Sequence, residues 1–147
     1  IVADFPTGPS AALTALSRQA DLHLIPLLAD SASLSLLPQI ENHRLTGDVL
    51  NQKAGHFVVL NQSDNRRQIS RDVTAFMEQR LGNQLLGVLH RDESVVEANA
   101  SQQSVFDFSP ASAAAFDIEL IAKRAAGMLG VNIGDGTLHS SPRMSGL

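Results

Sequence analysis

The chain has 147 residues, of which 44% are hydrophobic and 18% charged, and it has no apolar run near the roughly 20 residues that cross a bilayer. These values are typical of one soluble globular domain with enough residues to bury a core, and they argue against a membrane-spanning chain. The net charge of -4 argues against a nucleic-acid partner held by overall charge, and the absence of cysteine excludes disulfides and thiolate metal sites while permitting a reducing cytoplasm.

The first eight residues predict a buried parallel strand that ends in a carboxylate. Three apolar residues run into Asp4, and Pro6 and Gly8 follow within four positions. Open α/β sheets bind their ligands at the carboxyl edge, so Asp4 is a candidate ligand residue; the alternative is that Asp4 only caps the next helix. Because the chain opens with Ile1 directly on this strand, we expect it to be a fragment whose preceding portion is missing.

Up to residue 61 the sequence alternates between helical periodicity and short apolar runs. The predicted elements are, in order, a helix from Pro9 to Asp21, a strand over Leu22–Leu28, a helix from Asp30 to about Leu45, a polar connection over 46–55 and a strand over His56–Asn61. Proline modifies two of these elements. A proline weakens a central strand, so the strand that begins at Leu22 is expected to end near Pro26, and Pro38 should confine or kink the helix around it.

The same alternation continues to residue 130. The predicted elements are a turn over Gln62–Arg67, an amphipathic helix from Ile69 to Gly82, a strand over Leu85–Leu89, a helix over Ser94–Ser101, a loop through Phe106 and Phe108, and a helix that ends near Met128. Ser109 as N-cap and Pro110 at the first helical position are expected to open this last helix. After Gly130 the composition turns to Gly, Ser and Pro without a period, which predicts one domain over 1–129 and a flexible tail over 130–147.

Strands separated by helices of this length predict right-handed crossovers and an α/β fold with a mostly parallel sheet flanked by helices. Polar residues follow four successive strands of that sheet: Asp4, Asp30, Asn61 and the run His90-Arg91-Asp92. The carboxyl ends of parallel strands share one edge. We therefore expect these residues to line a single ligand crevice.

Several motifs of the chain occur in the same order in a known family. They are Asp-x-Pro-x-Gly at Asp4, Ala20-Asp21 before a strand that ends near Pro26, Val58-Val59-Leu60-Asn61, and Gly87-Val88-Leu89-His90-Arg91-Asp92 followed by Val95 and Ala98. Over residues 1–128 the chain resembles the carboxyl two-thirds of a MinD/ParA-type P-loop ATPase, the class with a deviant Walker A motif. Within that family, residues 89–93 and 106–114 are most similar to the MinD-like protein of bacterial cellulose-synthase operons.

The resemblance implies a role for each candidate residue. Asp4 would be the Walker B carboxylate that holds Mg²⁺, usually through water, and Gly8 the switch residue whose backbone senses the terminal phosphate of ATP. Asn61 would contact the adenine edge through its amide, and the loop His90–Asp92 would close over the base or the ribose. The family more commonly has proline where this chain has His90, so the resemblance does not fix the details of the base contact.

The phosphate-binding loop of that family does not occur in this sequence. No glycine-rich segment contains a lysine at the required position, and the glycines over 127–136 follow a helix rather than a strand. In the family this loop precedes the segment where the chain starts. The resemblance therefore implies that a longer parent protein binds ATP and Mg²⁺ and forms a homodimer around nucleotide, while the 147-residue chain alone should not hydrolyse ATP.

The resemblance also implies a cellular setting and leaves alternatives open. A protein of this kind is expected in the cytoplasm, peripherally at the inner membrane or the cell pole, with cellulose synthase components as partners. The alternatives are a non-catalytic ATPase-like scaffold and a ParA-like ATPase that partitions DNA. A response-regulator-like receiver is disfavoured, because the acidic pair after its first strand and its strand-borne lysine are not seen here.

Three further features are better explained by structure than by function. The five histidines lack the spacing of metal ligands. The basic cluster formed by Arg66, Arg67, Arg71 and Arg80 is more typical of a solvated helix face than of a DNA-binding surface. The alanine-rich stretch over 111–126 lacks the basic face of a helix that lies on a membrane, so core packing is expected for it.

Overall fold

The computed structural model of the chain describes residues 1–5, 10–41 and 54–131. These residues belong to a first unit that ends at His90 and a second that begins at Arg91. In chain order the elements of the first unit are α1 (Ala11–Ser17), β1 (Leu22–Leu28), α2 (Ser31–Glu41), β2 (Gly55–Ser63), α3 (Gln68–Leu81) and β3 (Leu85–His90).

The three described strands form one sheet in the order β1–β2–β3, and both neighbouring pairs are parallel. Helices α2 and α3 follow β1 and β2 and pack on one face of this sheet. Leu60 and Met77 are completely buried where α3 meets β2. The other buried members of this core are Leu27, Ala29, Leu37, Val58, Val73 and Leu81. The predicted α/β class with a parallel sheet flanked by helices is confirmed.

Short polar side chains and glycine determine where several helices begin and end. The hydroxyl of Ser10 accepts the N–H of Leu13 at 3.0 Å and caps α1. Gly82 ends α3 as predicted, with a φ of 50° that favours glycine and an N–H that donates to the carbonyl of Glu78. Helix α2 contains Pro38 and is described to Glu41, so its predicted extension to Leu45 lies outside the described residues.

Two strand predictions are corrected. Residues 1–5 have no regular structure, and Ile1 and Val2 are fully exposed, so the predicted first strand is not formed. Three apolar residues cannot hold a strand without a paired neighbour, and no described strand pairs with them. Conversely, β1 continues through Pro26 to Leu28, because β1 is at the edge of the described sheet, where a missing N–H is tolerated.

A β-bulge lies near the carboxyl end of β2. Leu60 pairs with Val88 and Ser63 with His90, so β2 has one more residue than β3 between these two pairs. Gln62 adopts the left-handed region, with a φ of 56°. Because paired residues share a face, the bulge places Ser63 on the same face as Leu60, toward α3.

The second unit is helical as far as it is described. Its elements are α4 (Glu93–Ala100), α5 (Val105–Phe108) and α6 (Ala113–Met128), and Ala98, Val105, Ala114 and Ala115 are buried together at their centre. The small side chains allow these helices to pack closely. No helix in the described part of the chain combines the length and apolar character needed to cross a membrane.

The start of the last helix differs from the prediction. Ser112, not Ser109, is the N-cap of α6, and its hydroxyl accepts the N–H of Ala115 at 3.2 Å. Ser109 instead ends α5, a helical turn where a loop was expected, because its N–H donates to the carbonyl of Val105. The predicted flexible tail over 130–147 falls almost entirely outside the described residues.

Candidate functional site

Asn61 and His90 lie at the carboxyl edge of the sheet, on the adjacent strands β2 and β3. Asn61 pairs with Leu28, and His90 pairs with Ser63 beyond the bulge. Since Ser63 shares a face with Leu60 and Asn61 follows Leu60 directly, Asn61 and His90 are on opposite faces. The structure thus brings both predicted residues to one edge but not side by side.

The side chain of Asn61 is oriented by the backbone N–H of the next residue, Gln62. Its Oδ1 accepts the N–H of Gln62 at 2.9 Å, while its main-chain carbonyl accepts the N–H of Ala29 at 3.1 Å. The bond from Gln62 requires an acceptor, so it identifies the amide oxygen and leaves the Nδ2 donors unused among the described residues. Asn61 is half-buried, so this amide combines a fixed orientation with access to a ligand.

A polar network that the sequence did not predict orders the turn after β2. The hydroxyls of Ser63 and Thr74 are 2.9 Å apart, and the hydroxyl of Ser70 accepts the N–H of Asp64 at 2.9 Å. Arg66 donates to the Asp64 carboxylate through its main-chain N–H and its Nε, both at 3.0 Å. Ser63 and Asp64 are buried, and the polar run after an apolar strand was their only sequence signal. The network supports the strand end that carries Asn61.

Asp30, the polar residue after β1, has a structural role. Its Oδ1 accepts the N–H of Ser33 at 2.7 Å, which caps the start of α2. The hydroxyl of Ser33 in turn accepts the N–H of Leu28 at 3.1 Å and joins the helix start to the end of β1. The Asp30 carboxylate therefore stabilises the β1–α2 connection, which is the structural alternative to a ligand role.

Asp92 uses both carboxylate oxygens within the second unit. Oδ1 accepts the N–H of Ser94 at 2.9 Å in the first turn of α4, and Oδ2 accepts the N–H of Ala114 at 3.1 Å in the first turn of α6. Bonds from the main chain of Ser94 and then Ala114 hold the pKa of the Asp92 carboxyl below its usual range. One side chain thereby caps two helices that begin 20 residues apart in the chain (93 and 113).

The remaining predicted site residues are less defined. Arg91 is exposed and pairs with Glu93, with 3.3 Å between Nη2 and Oε1. Asp4 is exposed and belongs to no described strand, and Gly8 lies outside the described residues. In the described ranges no group of three or more His, Asp or Glu side chains converges in a way that could hold a metal ion. The roles of Asp4 and Gly8 stay predictions.

The predicted basic cluster is largely engaged within the chain. Arg66 binds Asp64, and Arg80 forms two bonds to the Glu41 carboxylate at 2.8 and 3.0 Å. Arg71 donates to the carbonyl of Asn65 at 2.6 Å and to the side chain of Gln68. Because these guanidinium groups order neighbouring segments, the arrangement fits a structural helix surface better than a DNA-binding one.

Comparison with known protein families gives a match over most of the chain. The sequence model of a family described as cellulose biosynthesis protein BcsQ matches residues 1–126. No curated protein matches the chain. The matched range includes all the described strands and nearly all of α6.

Proposed function

The chain belongs to the BcsQ family of cellulose biosynthesis proteins, and from this we propose that it is part of a MinD-like protein that binds ATP and Mg²⁺. Nucleotide-dependent homodimerisation of that protein would localise or regulate the membrane-associated machinery of bacterial cellulose synthesis. The protein would act in the cytoplasm, peripherally at the inner membrane or the cell pole, on cellulose synthase components. The observation that carries the proposal is the family match over 126 of 147 residues.

The described residues fit an adenine nucleotide at one position in particular. The Nδ2 donors of Asn61 can bind ring-nitrogen acceptors of adenine, and its orientation by Gln62 means that little side-chain entropy is lost on binding. The Asp4 carboxylate is exposed and makes no bond in the described residues, so it can accept hydrogen bonds from the water shell of Mg²⁺. Gly8 would bring its backbone close to the terminal phosphate.

The loop His90–Asp92 would take a different part in nucleotide binding from the one that the family resemblance implies. Both oxygens of Asp92 are already bonded to main-chain N–H groups, so this carboxylate does not fit a direct contact to base or ribose. His90 is on the opposite face from Asn61, which supports Asn61 rather than His90 as the residue that would contact the base. Asp92 would instead hold the loop in shape by anchoring α4 and α6, and the exposed Arg91 would close over the ribose. Bound ATP with Mg²⁺ would supply the phosphate bond whose hydrolysis allows the dimer to dissociate.

Nucleotide binding by the full-length protein tests the proposal. Asn61→Ala should weaken Mg-ATP binding about tenfold, the equivalent of one well-oriented hydrogen-bonded contact. Asn65→Ala is the matched control, because Asn65 is exposed in the adjacent turn and, within the described residues, its main-chain carbonyl rather than its side chain is bonded, to Arg71. Isothermal titration calorimetry measures both. Equal affinities for the two variants and the unmodified protein would remove Asn61 from the site.

Oligomeric state tests the remainder of the proposal. Light scattering after size exclusion should show a monomer without nucleotide and a dimer with a non-hydrolysable ATP analogue and Mg²⁺. Asp4→Asn should prevent the dimer if the Mg²⁺ shell depends on that carboxylate. A full-length protein that neither binds ATP nor changes its mass with the analogue would support the non-catalytic scaffold instead.

A further inference from the structure

Two histidine rings stack at the amino edge of the sheet, opposite the edge that carries Asn61. His23 on β1 and His56 on β2 are register partners, and their ring centroids are 5.0 Å apart with an angle of 18° between the planes. We call them the histidine pair. The main chain of Ser17, the last residue of α1, is hydrogen-bonded to the His23 ring. The histidine pair therefore connects three elements: α1, β1 and β2.

The bonding of His23 defines its proton state. Its Nε2 is buried and has no hydrogen-bond partner in the described part of the chain, so the ring must bind Ser17 through Nδ1–H. A second proton on Nε2 would be buried without an acceptor, next to another imidazole. Burial accordingly lowers the pKa of His23, and the bond to Ser17 opposes this shift only in part.

Nearby charged residues do little to stabilise the protonated form of His23. Among the described residues on or next to α1, β1 and β2, the other ionisable ones near the histidine pair are Arg18 just after α1 and Asp21 just before β1; both are exposed, and neither contributes to the pKa shift of His23. On α2 and α3, which pack farther along the same face, Glu41 and Arg80 bind each other, and Glu78 is exposed.

The stacked rings do not have the geometry of a metal site. The lone pair of an imidazole nitrogen lies in the plane of its ring, and two nearly parallel rings cannot direct both lone pairs at one ion. Proton uptake is the chemistry that this arrangement can perform.

We propose that the histidine pair is an acid-sensitive contact: with both rings neutral it joins α1 to the amino ends of β1 and β2, and protonation of His23 opens this part of the sheet while α3 and β3 remain folded. The sign follows from linkage. A histidine whose pKa is lower in the folded state stabilises that state fully above its unfolded value of about 6.5, and this contribution is lost as the pH falls below it. The device does not depend on nucleotide.

Hydrogen exchange on the full 147-residue chain tests this proposal, with rates corrected for the intrinsic effect of pH. Between about pH 7.5 and about pH 5.5, protection of residues 22–25 and 55–58 should fall by a factor of about three to ten, while α3 and β3 keep theirs; about tenfold is the limit for one histidine whose unfolded pKa is about 6.5. His23→Phe keeps an aromatic ring in the stack and should abolish this pH dependence. His90→Phe, the same substitution at the opposite edge, should leave it intact. Unchanged protection in acid, or the same pH dependence in His23→Phe, would overturn the proposal.

A second measurement covers the case in which His23→Phe does not fold. In the unmodified chain, the NMR titration of the His23 Cε1–H should have a midpoint below the ordinary value of about 6.5. In His56→Phe, where an apolar ring keeps His23 buried, the midpoint should also stay below that value. A midpoint at or above the ordinary value in the unmodified chain would refute the proposal.

Discussion

Substitution of Asp92 should reveal that one carboxylate stabilises the starts of two helices. Asp92→Ala removes the acceptors for the N–H groups of Ser94 and Ala114. Loss of the N-cap of α4 costs about 0.5–2 kcal/mol and loss of the further bond to α6 about 0.5–1.5 kcal/mol, so loss of both should lower the free energy of unfolding by about 2 kcal/mol, allowing for the fact that neighbouring contacts do not add fully. Asp92→Asn keeps one acceptor oxygen but turns an amide N–H₂ toward the other donor, so we expect it to recover at most half of that loss.

Glu93→Gln is the matched control for Asp92. Glu93 is the next residue, lies in the first turn of α4 and, in the part of the chain that the structure describes, pairs with the exposed Arg91. Its substitution should change stability by less than about 0.5 kcal/mol. The chain contains neither Trp nor Tyr, so urea unfolding is best followed by circular dichroism. An Asp92→Ala variant no less stable than Glu93→Gln would refute the double-cap assignment.

The pH dependence of this difference provides an independent check. The main-chain bonds from Ser94 and Ala114 lower the pKa of Asp92 in the folded state. The contribution of Asp92 is therefore complete above its unfolded value of about 3.9, and it is lost as the pH falls through the lower folded value. The stability gap between the unmodified chain and Asp92→Asn should narrow in acid. A gap of constant size would mean that the carboxylate charge does not contribute.

Two further pairs of substitutions test the fold by urea unfolding. Leu60→Ala should cost about 2–5 kcal/mol, because Leu60 is completely buried, whereas Leu24→Ala should cost clearly less, because Leu24 is 46% exposed; similar losses would contradict the described core. Gly82→Ala should destabilise the chain by about 1 kcal/mol, because the φ of 50° disfavours a side chain, although a Cβ would meet no atom within 4 Å. Gly127→Ala should stabilise the chain by about 0.5–1 kcal/mol, because Gly127 lies in the helical backbone of α6 and has equal space around it. If both glycine substitutions stabilised the chain, or both destabilised it, the described backbone conformations would be contradicted.

The sequence predicted the buried elements of the fold well. Leu22–Leu28 is a strand, as its apolar run predicts, although it does not end near Pro26, and Gly82 ends α3, because a continuous apolar run and a glycine at a helix end are local signals. The first strand failed for the opposite reason. Residues 1–3 are apolar, yet strand formation depends on a neighbour to pair with, which local composition does not contain.

The sequence predicted where the candidate site residues lie along the strands, but not how their side chains are arranged. Strand order and polar strand ends place Asn61 and His90 at one edge, but the pairing of Leu60 with Val88 puts them on opposite faces, and no single-sequence pattern gives that register. The double cap by Asp92 was equally hidden, because its second partner, Ala114, is 22 residues away and donates through its main chain. Such bonds depend on tertiary packing rather than on residue type.

The bulge at Gln62 has a consequence for how relatives of this chain can differ in length. Removing Gln62 would close the bulge between the Leu60–Val88 and Ser63–His90 pairs, and Leu60, Asn61 and Ser63 would keep their present faces, since the extra residue is the one outside the alternation. Removing a residue at 58, 59 or 60 would instead reverse the faces of part of the strand. In an alignment of homologues, a one-residue gap should therefore be accepted at Gln62 and excluded from the three positions before Asn61.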